Sequence, residues 1–135
     1  MQSPLIASRS CSWPVLAVSL LIVLPGCESI PAPAPPNVEA ATKTLERALT
    51  SWQKGDALDG METASPPLKV FDPKWKSGDK LTKFELQGPG TPKGGQQAFE
   101  VMLWLTTAKG KQTKEKVEYR VTTEPVETVA RLMFN

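Results

Sequence analysis

The sequence predicts an α+β domain in which one amphipathic helix packs on a curved, four-stranded antiparallel meander. Three observations point there. Apolar residues recur at helical spacing from Val38 to Trp52, the period switches to two beyond Asp79, and turn residues divide that second half into four runs.

The helix begins after the prolines. Asn37 is a good N-cap, and Val38, Ala41, Leu45, Ala48, Leu49 and Trp52 fall within an arc of ~100° at the helical angle per residue. Glu39 and Lys43 form an i,i+4 pair on the outer side. Lys54 favours the negative end of the dipole, and Gly55 supplies the stop.

Residues 55–67 are rich in turn formers, with one helical turn around Ala57–Gly60. Leu68 to Phe71 reads as a short extended piece outside the meander. Asp72-Pro73-Lys74-Trp75-Lys76-Ser77-Gly78 then reads as a turn of helix, with Asp72 as cap, Pro73 at the first position and Gly78 as terminator. Four strands follow, over Lys80–Gln87, Gln97–Thr107, Gln112–Thr122 and Val126–Phe134. Lys109-Gly110-Lys111 forms a tight hairpin, and Glu124-Pro125 turns the chain into the last strand.

Register follows from the two cleanest strands. Phe99, Val101, Leu103 and Leu105 share one side of the second strand, and Val117, Tyr119 and Val121 share one side of the third. Pairing Ala108 with Gln112 sets Phe99 against Val121, Val101 against Tyr119 and Leu103 against Val117. It also sets Glu100 against Arg120 and Trp104 against Lys116. A one-residue slip would put a charge opposite every apolar residue. The sheet then has one apolar face for the helix and a second face presenting Glu100, Met102, Trp104, Lys116, Glu118 and Arg120. Trp104 is the large aromatic among those charges. That face is either a binding surface or a solvated sheet face held by ion pairs and cation–π contacts. Tyr119, on the apolar side, needs a hydrogen-bond partner for its buried phenol: a backbone carbonyl or water, or a ligand in a cavity between sheet and helix. The aromatic residues Trp52, Phe71, Trp75, Phe84, Phe99, Trp104, Tyr119 and Phe134 are available to build the core.

Ahead of this domain lies a different kind of segment. Arg9 is the one charged side chain among the first ten residues, and Cys11 to Pro25 is apolar apart from two serines. The run is shorter than the ~20 apolar residues that a spanning helix needs, and it has the layout of a secretory signal. Leu24-Pro25-Gly26-Cys27 resembles the lipobox of bacterial lipoprotein precursors. Leu24 and Gly26 match its aliphatic and small positions, whereas Pro25 departs from the usual small or aliphatic residue. The resemblance implies cleavage after residue 26, thioether lipidation of Cys27, and anchorage of an exported domain to the cell membrane or the outer membrane. Glu28 stands where the inner-membrane retention signal of that class often has aspartate, which favours the outer membrane. The expected organisation is a signal peptide over 1–26, a lipidated Pro/Ala linker over 27–36 and the α+β domain over 37–135. The linker is extended, at ~3.1 Å per residue.

Composition excludes several chemistries. The chain has no histidine, so the commonest neutral-pH base and the usual zinc sets are missing. With Arg9 removed, 15 basic residues face 14 acidic ones, which leaves no excess for nucleic-acid binding. Cys27 is the single cysteine beyond the signal, so the domain has no disulfide. The glycine-rich loop over 88–95 lacks the Gly-Lys-Ser/Thr ending of a phosphate-binding loop, and no cofactor is expected.

A helix followed by an antiparallel meander over residues 37–134 resembles the cystatin-like and nuclear transport factor-like superfold. The run from Val70 to Leu81 is similar to the segment before the sheet in small bacterial lipoproteins, and no catalytic residues carry over from them. The superfold includes ketosteroid isomerase-like enzymes that use an aspartate base and a tyrosine donor. Tyr119 lies on the correct side for a donor, whereas Asp72 and Asp79 precede the sheet and no acid is expected in the middle of its apolar face. Two functional expectations follow. The first is a non-enzymatic envelope lipoprotein that binds a protein, a polysaccharide or a small ligand, or has a structural role. The second is a small-molecule binder or enzyme with a deep pocket holding Tyr119 beside an acid.

Overall fold

The computed structural model describes residues 37–133. The signal segment, Cys27, the linker and Phe134 lie outside the described residues. Helix α1 spans Val38–Lys54 and is capped as its sequence dictates: the Asn37 side-chain oxygen accepts from the Glu39 and Ala40 amides at 3.0 and 3.3 Å. Gly55 ends it in the left-handed conformation, φ 88°. Short helices α2 (Leu58–Glu62) and α3 (Pro73–Lys76) bracket strand β1 (Leu68–Phe71). The remaining strands are β2 (Lys80–Leu86), β3 (Thr91–Lys93), β4 (Gln96–Thr106), β5 (Gln112–Thr122) and β6 (Glu127–Arg131).

The fold is α+β, and β2, β4, β5 and β6 are neighbours in antiparallel order, as the meander requires. Two features correct the four-stranded antiparallel expectation. The piece at Leu68–Phe71 is not outside the sheet but joins it as β1, paired in parallel with β6 from Leu68↔Glu127 to Phe71↔Ala130. The loop after β2 contributes the short strand β3, which pairs with the start of β4. The sheet is therefore mixed and six-stranded among the described residues. Four residues with two apolar side chains gave too short a pattern to reveal a pairing partner so distant in sequence.

The register of the β4–β5 hairpin also differs from expectation. Phe99 pairs with Tyr119, Val101 with Val117 and Trp104 with Lys114, two residues away from the predicted alignment. Gly110 is the cause. It has φ 83° and closes a three-residue loop over 108–110, with the Thr107 amide bonded to the Lys111 carbonyl at 2.8 Å. Three-residue hairpin loops place their left-handed residue last, and that position fixes Thr107 opposite Lys111. The shift is even, so the two faces keep their residues.

One face covers α1. Ala41, Leu45, Ala48, Leu49 and Trp52 from the helix meet Leu81, Phe99, Val101, Leu103, Leu105, Val117, Tyr119, Val121 and Val129 from the sheet, all buried. Each large apolar side chain buried this way contributes about 1.5–3 kcal/mol. One aromatic available for the core is elsewhere, since Phe71 is 58 % exposed on β1; Trp104 is half-buried on the opposite face, where its alternation places it.

Candidate functional site

The face turned away from α1 carries all six residues expected there: Glu100, Met102, Trp104, Lys116, Glu118 and Arg120. The observed register organises them in rows across β2, β4 and β5. Lys80, Thr106 and Gln112 form the row nearest the β4–β5 hairpin, and Lys83, Trp104 and Lys114 form the next. Glu85, Met102 and Lys116 follow, then the like-charged pair Glu100 and Glu118.

The predicted Glu100–Arg120 and Trp104–Lys116 pairs are therefore not formed directly across the strands. Neighbouring charges offset the Glu100–Glu118 repulsion. Lys116 reaches Glu100 at 3.0 Å, and Glu118 takes Arg120 at 2.6 Å and Lys93 at 3.5 Å. The Arg120 hydrogen bond holds the Glu118 carboxyl below the usual range, against the opposing effect of its desolvation.

Trp104 sits between two lysines. The Lys83 and Lys114 ammonium groups lie 4.6 and 4.9 Å from the ring centroid. Lys83 also pairs with Glu85 at 2.8 Å. Lys114 makes no ion pair among the described residues. A groove of 310 Å³ borders the ring and is lined by Thr82, Trp104, Gln112, Thr113 and Lys114. Trp104 stands out in the sequence, but Lys114 does not, because the expected hairpin register gives its place to Lys116, and Lys83 reaches Trp104 only through the register shift after Leu81 in the β2–β4 pairing.

The apolar face contains a polar cluster that was not foreseen. The Tyr119 hydroxyl donates to Asp72 Oδ2 at 2.5 Å. Asp72 Oδ1 accepts from the Lys74 and Trp75 amides at 2.9 and 3.3 Å as the cap of α3. Arg131 stands 3.7 Å from that same oxygen and 2.9 Å from Glu115. Parallel pairing of β1 with β6 delivers Asp72 to this position, at the end of β1 and beside Arg131. The partner of Tyr119 is thus a carboxylate rather than a backbone carbonyl or water. Glu115, on the same alternation as Val117 and Tyr119, corrects the expectation of an acid-free face. Burial is the main cause that pushes the Tyr119 phenol well above its ordinary pKa, reinforced by the charge and hydrogen bond of Asp72.

Tyr119 and Asp72 are 1 % and 3 % exposed. Neither lines the groove beside Trp104 or three further grooves of similar size. One of these, 380 Å³, runs beside the stacked pair Trp52 and Trp75, whose rings are 5.4 Å apart and 5° from parallel. Both indoles spend their N–H on backbone carbonyls, Trp52 on Asp79 at 2.8 Å and Trp75 on Asp56 at 3.1 Å. Asp79 otherwise serves the fold, accepting from the Ala108 amide at 3.3 Å.

Among the described residues, no group of three or more acids, cysteines or histidines is placed to hold a metal ion. Comparison with protein families, with curated proteins and with solved structures finds no match in any of the three.

Proposed function

We propose that this chain is an exported lipoprotein, anchored through acyl chains on Cys27, whose 37–135 domain is a non-catalytic binding or structural module of the cell envelope. The observation that carries the non-catalytic part is the state of Asp72 and Tyr119. A catalytic acid or base must reach its substrate. Here both groups are buried and bonded to each other, and Asp72 is further committed to capping α3.

The anchor rests on Leu24-Pro25-Gly26-Cys27 after an apolar run with Arg9 ahead of it. Two or three long acyl chains at ~0.8 kcal/mol per buried methylene hold a protein at a bilayer essentially permanently. The reading is supported by the element order, one long helix before an antiparallel β2-β4-β5-β6 run, on which the resemblance to the cystatin-like and nuclear transport factor-like superfold rests. The contact between Asp72 and Tyr119 favours a second reading, a ketosteroid isomerase-like pocket, which requires that pair to become accessible.

Metabolic labelling with a fatty acid tests the anchor. The native protein should incorporate label and partition with membranes, and Cys27→Ser should do neither. Equal labelling of the two proteins would remove the reading.

A further inference from the structure

We propose that the Lys83–Trp104–Lys114 row and the groove beside it form a binding site for an acidic polysaccharide, with one carboxylated sugar unit seated against the indole. This deepens the binding-module reading above and rests on it for the compartment alone.

Charge distribution is the first argument. The two rows nearest the β4–β5 hairpin present Lys80, Lys83 and Lys114 and no acid, and the hairpin adds Lys109 and Lys111. The nearest acids are already engaged: Asp79 faces inward, and Glu85 is paired with Lys83. The face is therefore divided into a basic end and a remainder in which Glu85, Glu100 and Glu118 are balanced by Lys116, Arg120 and Lys93.

Geometry is the second. Two ammonium groups share one indole, and each is drawn to the ring while it repels the other. An anion placed between or beside them relieves that repulsion, so the site is organised before a ligand arrives. The adjoining groove, 310 Å³, stands at the small end of the range of ~300–1,000 Å³ for ligand pockets. It suits a single ring of a chain better than a large cofactor. Gln112 lines it and supplies an amide for hydroxyl groups, and the indole offers an apolar surface for sugar C–H bonds.

Position leaves the basic rows open to a long polymer. The chain enters the domain at Asn37, and the first half of α1 lies beside β6, where Thr44 bonds to Glu127 at 2.8 Å. The far end of α1 reaches Asp79, next to the start of β2. The basic rows are thus at the end of the domain remote from the entering chain. That placement leaves them clear of the residues at which the chain enters, and the vesicle arm of the test separates a sugar chain from lipid headgroups.

The test uses the full-length protein purified in detergent, with oligogalacturonate as the acidic probe, dextran as the neutral one, and vesicles of phosphatidylglycerol as the lipid arm. Calorimetric titration should show binding of oligogalacturonate and none of dextran. Trp104→Ala and Lys114→Glu should each weaken that binding about tenfold, near the energy of one desolvated cation–π contact. Trp104→Phe should retain most of it, and raised salt should weaken it. Near-ultraviolet circular dichroism confirms that the variants are folded. Absent binding, equal binding of dextran, or variants that bind as the parent does would each overturn the site. Stronger binding to the vesicles, insensitive to Trp104→Ala, would overturn it in favour of a lipid surface. None of these outcomes depends on whether Cys27 is acylated, so this site and the anchor fail separately.

Discussion

The Tyr119 hydroxyl and the Asp72 carboxylate, 47 positions apart in sequence, meet at 2.5 Å under the sheet. This contact fastens the start of α3 to the middle of β5. Removing the phenol oxygen leaves a buried carboxylate short of one donor, which costs about 1–3 kcal/mol. Tyr119→Phe should lower the stability measured by urea unfolding by that amount. Asp72→Ala should cost more, about 2–4 kcal/mol, because it leaves the buried phenol without its acceptor, removes one of the two carboxylates beside Arg131 and uncaps α3.

The same contact gives an alkaline signature. The folded-state pKa of Tyr119 is raised above the unfolded value, near 10. Its contribution is therefore complete below pH ~10 and is lost as pH rises past it, because the unfolded chain ionises first. Urea midpoints between pH 8 and 11 should fall more steeply for the parent than for Tyr119→Phe.

On the outer face the sign is opposite. Glu118 has a depressed pKa, caused first by the Arg120 hydrogen bond, so its contribution is present above the unfolded value and lost as pH falls. Glu118→Gln should flatten the loss of stability on acidification below pH ~4.5. The effect will be small because the group is partly solvated.

Gly90 is a packing constraint. A β-carbon there would stand 2.6 Å from Cζ of Phe99, a ring that is 1 % exposed. Gly90→Ala should destabilise by about 1–3 kcal/mol, the usual cost of overpacking. Combining it with Phe99→Leu should recover part of the loss, as a double-mutant cycle by thermal unfolding will show.

Trp52 and Trp75 should behave as a coupled pair. Their parallel stack is expected to give a coupling of about 0.5–1.5 kcal/mol in a cycle with Phe at each position. Circular dichroism near 230 nm should lose its exciton band in either single variant, an outcome that checks the stack independently of stability.

Much of this architecture could be read directly. Asn37, Gly55, Asp72, Pro73 and Gly78 mark helix ends through local backbone chemistry, and those ends lie where the residues place them. Alternation assigned β4 and β5 to the correct faces. Two facts were lost for different reasons. The parallel partnership of β1 with β6 depends on contacts remote in sequence, and four residues carry too little pattern to reveal it. Matching apolar with apolar residues across the hairpin excludes a slip of one residue but not of two, which keeps both faces. The backbone of Gly110 decides the register instead, and this is why the lysine across from Trp104 differs from the one expected. Glu115 was legible, since extending the alternation one step back from Val117 reaches it.

Strand β6 lies between β1 and β5, although it is the last strand formed in chain order. Without it β1 would have no neighbour among the described strands, so residues 127–131 are the splice that holds the Asp72-bearing segment to the rest of the sheet.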